Sequence, residues 1–164
     1  MSKKPINFYV WLRSGLRKLS RRWPAVYEAL AAAKVPYQGE NKRRQWSYKC
    51  AECAQLFDSK SVAVDHKIPA GQLACKEDVA GFVERLFCDA SGLQVLCHDC
   101  HDLKTHMEKT GLSLEDAKID KEVIRLLRKE NKAEMIALLQ QHGVECKNAD
   151  QRREALTRIL KEKM

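Results

Sequence analysis

The chain has 164 residues, 45% of them hydrophobic, and a formal net charge of +8. That length suits one domain of ordinary size, or a small domain with extensions, and the apolar content is enough for a core. No apolar run approaches the ~18 residues that span a bilayer. The start, MSKKPINFYV, lacks the long apolar core and small-residue cleavage site of a signal peptide, so a cytoplasmic location with no membrane partner is expected. The charge is uneven: residues 1–49 hold twelve Lys and Arg against Glu28 and Glu40, a local net of +10, so with +8 overall the rest of the chain nets −2. Such a basic segment is either a solvated arm or an electrostatic footprint for a polyanion, because Lys and Arg displace counterions from nucleic-acid phosphates.

In chain order, Ile6–Ser20 mixes apolar and basic residues and predicts a helix, broken at Ser20-Arg21-Arg22. Pro24 suits the first turn of a second helix, and Trp23, Val26, Tyr27 and Leu30 fall on one of its faces. Pro36 is expected to end it. Trp11 and Trp23 read as packing residues. Gln38–Gln45 is a polar, basic linker in which Arg43 and Arg44 are candidates for gripping phosphate, or for keeping the loop wet.

From Tyr48 the sequence YKCAECAQLF reads as a zinc knuckle. Val62-Ala63-Val64 predicts a short strand ending in Asp65-His66. A short helix is expected around Asp78–Leu86, then a second strand over Leu93–Leu96, then a helix opened by Cys100 that runs to about Lys109 and stops near Gly111. The last third is helical. Ser113 with Asp116 marks a capping box, Gly143 suits a C-terminal cap, and Asp150 suits the start of a last helix carrying Leu156, Ile159 and Leu160. Residues 131–160 loosely resemble SAP-like helix-extended-helix DNA-binding motifs; plain packing onto the central core is the preferred reading.

Seven cysteines is an odd number, and four of them form two Cys-x-x-Cys pairs, Cys50/Cys53 and Cys97/Cys100. In a reducing compartment this spacing favours zinc over disulfides, since two thiolate pairs complete one tetrahedral site. Cys75, Cys88 and Cys146 have no such spacing and read as buried or free thiols. The loop between the pairs is longer than in a simple zinc ribbon and contains Asp65-His66. The strand bearing that dipeptide pairs naturally with Leu93–Leu96, and a helix starting at Cys100 would cross both, bringing Asp65, His66 and His101 near one another. A carboxylate and an imidazole make a partial shell for Mg²⁺ or Mn²⁺, and a second imidazole beside it is a competent general base. Separately, Asp65-His66 reads as a turn residue and a surface histidine, and His101 as a solvated helix residue.

VDHKIP followed by GLQVLCHDCHDLKTH resembles the HNH endonucleases in their four-cysteine, zinc-containing branch, over roughly Tyr48–Glu108. The basic helical sequence ahead of the first cysteine pair is similar to phage-type members. The resemblance implies an α+β fold: a ββα-metal nuclease core (residues 48–112) stapled by a structural Zn²⁺ on Cys50, Cys53, Cys97 and Cys100. Helical extensions, residues 1–47 and 113–164, would flank it. It implies that His66 is the general base, that Asp65 and His101 hold the catalytic divalent ion, and that Lys104 contacts phosphate. The implied partner is DNA, with a phage terminase or another packaging or replication protein as a further candidate, and the implied reaction is phosphodiester hydrolysis. A zinc-stabilised DNA-binding or packaging-accessory module without cleavage is the alternative. In one departure, Gly92 stands where the family usually has the asparagine that braces the loop of the general base; Asp89 and Ser91 are the nearby substitutes.

Overall fold

Asn7 starts the first helix, α1 (Phe8–Ser20), because its side-chain oxygen accepts from the N–H groups of Tyr9 and Val10 at 3.1 and 3.2 Å. Ile6, its expected first residue, lies outside residues 7–163, which this computed structural model describes. Pro24 opens α2 (Pro24–Ala32) as expected. That helix stops before Pro36, though, and Lys34–Pro36 forms a strand, β1. The residue ahead of a proline is pushed out of the helical region, and the freed Ala33 carbonyl takes the Lys49 N–H at 2.9 Å. The strand β1 pairs antiparallel with β2 (Trp46–Lys49), which pairs with β3 (Leu56–Phe57). Strands this short carry too few residues for a readable alternation, so this sheet was not foreseen.

The two foreseen strands are present. In a second sheet β4 (Val62–His66) runs antiparallel to β5 (Leu93–Cys97), with Val64 opposite Val95, Asp65 opposite Gln94 and His66 opposite Leu93. Between them lies α3 (Val79–Leu86). The strand β5 passes directly into α4 (His98–Thr110), which begins two residues before the expected Cys100.

The first helices bury one face each. Ala25 and Ala29 of α2 pack with Leu93, with Val64 against them. Tyr9, Leu12 and Leu16 of α1 pack on Phe82, Leu86 and Leu73. Trp23 is a packing residue, as expected: its ring meets Phe87 edge-on and its Nε1 donates to the Cys88 carbonyl at 2.8 Å. The other tryptophan corrects the expectation. Trp11 is 64% exposed, because α1 turns a different face to the core.

The chain divides into two compact units, Met1–His101 and Asp102–Met164. In the second, α5 (Leu114–Leu126), α6 (Lys132–Gln141) and α7 (Ala149–Glu162) share a core of Ile119, Val123, Leu126, Met135, Leu139, Leu156 and Ile159. Ser113 Oγ caps α5 by accepting the Asp116 N–H at 3.1 Å. Gly143, at φ +62°, closes α6, with its N–H on the Gln140 carbonyl and that of Val144 on the Leu139 carbonyl, both at 3.0 Å. The Asn148 side chain caps α7, so this helix opens one residue before the expected Asp150. The Arg125 guanidinium bridges Glu122 and Glu134 and holds both carboxyls below the usual range. No described helix is long and apolar enough to cross a membrane.

Leu156 is wholly buried in this second core. Leu156→Ala should therefore destabilise the protein by about 2–5 kcal/mol through lost burial and a residual cavity. Urea denaturation followed by circular dichroism tests this, and an unchanged midpoint would contradict the packing described.

Candidate functional site

The four paired cysteines come together. Cys50 directly follows β2 and opens a tight turn in which the Ala54 N–H returns to the Cys50 carbonyl at 3.0 Å, with Ala54 itself in the left-handed region at φ +60°. Cys97 is the last residue of β5, and Cys100 lies in the first turn of α4. Two backbone contacts dock the turn on the strand: the Ala51 N–H donates to the Val95 carbonyl at 2.8 Å, and the Cys97 N–H to Cys50 Sγ at 3.3 Å. All four Sγ atoms lie within 4.8 Å of one another. A zinc tetrahedron with bonds of about 2.3 Å places its sulfurs roughly 3.8 Å apart, so sulfurs within 4.8 Å of one another are near the spacing the ion requires.

The electrostatics of the four thiols fit a cation. Burial works against a Cys50 thiolate, but N–H groups of Cys53, Cys97 and Glu52 aimed at its sulfur outweigh burial and bring its pKa from 9.0 down to about 7. Burial pushes Cys100 strongly up, reinforced by hydrogen bonds shared with Cys97 and Cys50 and by the Cys50 charge. Cys53 also rises: the Gln55 N–H favours its thiolate, but desolvation and Cys50 outweigh that. Cys50 thus favours its thiolate while Cys53 and Cys100 favour the thiol, a conflict that a dication among them would remove. The four cysteines can hold a structural metal such as zinc.

Asp65 and His66 end β4, and strand alternation sends them to opposite faces of the ribbon. Asp65 shares its face with Gln94, Ala63 and Leu96. Leu96 clusters with Cys50 and Cys97, and Cys100, in the first turn of α4, packs against that cluster. Among the described residues, the four cysteines are the group of three or more Cys, His, Asp or Glu whose ligand atoms all lie this close; Asp65, His66 and His101 do not form a second one.

His66 faces the end of α3. Its Nε2 lies 3.0 Å from the Leu86 carbonyl, one of the helix-terminal carbonyls without a partner inside the helix. A carbonyl only accepts, so Nε2 carries the proton, and a neutral ring then has its basic lone pair on Nδ1. The loop into β5 is braced without an asparagine. Asp89 Oδ1 accepts the Ser91 N–H at 2.9 Å, the Gly92 N–H at 3.2 Å and the Ser91 hydroxyl at 2.5 Å, and these bonds, the hydroxyl's foremost, hold the Asp89 carboxyl below its usual range. The Gly92 carbonyl in turn accepts the Lys67 N–H at 2.9 Å, tying this loop to the residue after His66. A Cβ at Gly92 would lie 2.8 Å from Cys88 Sγ, so an asparagine there requires Cys88 to move.

The three expected phosphate contacts are placed differently from one another. Arg43 is exposed in the 38–45 loop. The Arg44 guanidinium lies 4.4 Å over the Tyr37 ring and donates to the Trp46 carbonyl and to the buried Ser47 hydroxyl, so it holds that loop against β2. Lys104 belongs to the second unit, where its Nζ pairs with Glu108 at 2.9 Å. The Leu86 carbonyl was missed, since no side-chain pattern announces a helix-terminal carbonyl. The Asp89 turn was legible, because Asp-Ala-Ser-Gly is a turn signature in which a short carboxylate caps its own backbone.

Compared with known proteins, the chain matches no family model, no curated protein and no solved structure.

Cys97 is 4% exposed among the four sulfurs. The protein as purified should carry one zinc per chain, and Cys97→Ser should lose it. Its thermal unfolding should also fall sharply, since structural zinc is worth on the order of 10 kcal/mol in small modules. Metal analysis with a melting curve decides this, and a Cys97→Ser protein that keeps zinc would contradict the assignment.

Proposed function

We propose that the protein is a metal-dependent DNA endonuclease of HNH type, with β4, β5 and the start of α4 as its ββα-metal core and the four cysteines as its zinc staple. The observation that carries this reading is the arrangement along one continuous path. Asp65-His66 ends a strand paired with β5, and β5 runs through two metal-competent cysteines into the helix turn bearing His101. A module that only binds DNA needs the cysteines but has no use for an acid-histidine pair at the end of β4 and a second histidine at the start of α4.

In this reading the Asp65 carboxylate and the His101 imidazole would hold a divalent ion such as Mg²⁺ or Mn²⁺, to which an oxygen and a nitrogen donor are suited. When bound, that ion stabilises charge on the phosphoryl and on the departing oxygen. His66 Nδ1 takes a proton from water, and Nε2 keeps its proton against the Leu86 carbonyl, which stabilises the imidazolium as it forms. Water attacks phosphorus in line, and the bond to the leaving oxygen breaks as the new P–O bond forms. The basic residues ahead of the core, on α1, at Arg21 and Arg22 and in the 38–45 loop, supply the field that gathers a polyanion. A partner such as a terminase would recruit the enzyme through surfaces outside this core.

Incubation with supercoiled plasmid tests the reading. The wild-type protein should convert it to open-circular or linear product with Mg²⁺ or Mn²⁺ and not without. His66→Ala should keep zinc, fold and DNA affinity yet lose activity by about 10²–10⁴-fold, the ordinary contribution of a positioned base. His101→Ala should keep zinc and demand far more divalent ion. Full cleavage by His66→Ala, or DNA binding with no metal-dependent cleavage by the wild type, would leave the binding or packaging-accessory module as the better account.

Asp89→Ala separates bracing from chemistry. It removes the acceptor for two backbone N–H groups and should cost about 0.5–2 kcal/mol, as losing a helix cap does. The rate of nicking should fall with zinc retained. A variant that is as stable and as active as wild type would show that the loop does not depend on this carboxylate.

A further inference from the structure

The outer face of α1 carries exposed apolar side chains that the proposed nuclease core does not use. Phe8, Trp11 and Leu19 are 59, 64 and 60% exposed along one side of this helix, beside the face that packs on Phe82. The rings of Phe8 and Trp11 are stacked, with centroids 6.4 Å apart and planes 29° from parallel. Between Trp11 and Leu19 on the same side is Gly15, where an added Cβ would meet no atom within 4 Å. Packing therefore does not demand a glycine there, although glycine inside a helix costs about 0.5–1 kcal/mol. It leaves an open notch beside the indole.

Charge identifies the class of partner. The sequence has no acidic residue before Glu28, while Arg13, Arg17, Lys18, Arg21 and Arg22 lie on α1 and just past its end. Area argues against a protein partner. Phe8 and Trp11, side chains of 150–250 Å² about 60% exposed, offer roughly 180–300 Å² of aromatic surface, a small part of the ~800 Å² that each side of a stable protein interface buries. A base needs only one ring face to stack on, and in an intact duplex those faces are already covered by neighbouring bases.

We propose that the Phe8–Trp11 pair with the Gly15 notch is a stacking platform for unpaired nucleotides, whose phosphates are held by Lys18, beside that face, and by Arg21 and Arg22 just past the helix end. The platform extends the nuclease reading by naming the form of nucleic acid the protein grips: a duplex with a single-stranded stretch, such as a flap, bubble or junction, presented beside the core.

The test uses the full chain carrying His66→Ala, so that the probe survives. Binding of a labelled oligodeoxythymidylate of about 12 nucleotides, within the 4–16 that such sites cover, is compared with a hairpin duplex of equal length. Trp11→Ala should weaken the single strand about tenfold or more, the usual value of one stacked base. It should leave the duplex within about twofold and the salt dependence of binding unaltered, because no charge is lost. Trp11→Phe should restore part of the affinity. Gly15→Leu fills the notch, and it should weaken the single strand while raising the melting temperature, so reduced binding cannot be laid to misfolding. The platform is overturned if Trp11→Ala binds the oligonucleotide as its parent does, if strand and duplex lose equally, or if no oligonucleotide binds. Should the wild-type protein nick plasmid while Trp11→Ala leaves single-strand binding intact, the platform falls and the nuclease reading stands. Trp11-dependent binding in a protein that never nicks would have the opposite meaning.

Discussion

Four sulfurs at one point set the geometry of the first unit. Cys50 and Cys97 are 47 residues apart in sequence, yet Cys50 Sγ accepts the Cys97 N–H. Neither sheet is large, one of three very short strands and one of two, and sheets of that size are marginal alone in water. The clamp joins them. The knuckle grows from the three-stranded sheet, and the second cysteine pair bridges the end of β5 and the start of α4. A metal bound there closes a long loop and gives free energy that so small a core cannot supply by burial alone. The same metal would tie Cys97 at the end of β5 to Cys100 in the first turn of α4, the turn that carries His101.

The rest of the first unit supports the strand ends from the other side. On the α2 side of the ribbon, Leu93 and Val64 meet Ala25 and Ala29, small residues that let the helix come close. On the same face of the ribbon, at the strand end, Phe82 and Leu86 anchor α3, whose last carbonyl receives His66. Trp23 ties these supports together through its bond to the Cys88 carbonyl and its contact with Phe87. In the proposed nuclease each support constrains the base histidine indirectly. Asp89 and the Gly92 carbonyl fix the loop, and the α3 terminus selects the tautomer. An asparagine brace would have to occupy the space that Cys88 now fills at Gly92.

The parts legible in the sequence were those with local signals. The cysteine spacing announced the clamp, and Pro24, Ser113 and Gly143 announced helix ends that stand where they were expected. The two strands carrying Asp65-His66 and Leu93–Leu96 were legible because each is a short apolar run bounded by turn residues. What escaped depends on tertiary partners. The strand Lys34–Pro36 exists because it finds Trp46–Lys49, and nothing within three residues reveals that. Arg44 looked like a surface cation, but a ring and a buried hydroxyl claimed it. Trp11 looked like core because tryptophans usually are, and only the helix's rotation about its axis decides which of its faces is covered.

The central claim is that Asp65 and His101 share a divalent ion next to His66, separately from the zinc of the four cysteines. It is tested most directly by titrating zinc-loaded protein with Mn²⁺ while recording the histidine side-chain NMR signals. The account predicts that the His101 and His66 ring signals broaden first, at Mn²⁺ levels well below the protein concentration, that excess Mg²⁺ reverses the effect, and that Asp65→Ala abolishes it with zinc still bound. Equal broadening of all histidines, or the same selective broadening in Asp65→Ala, would contradict it.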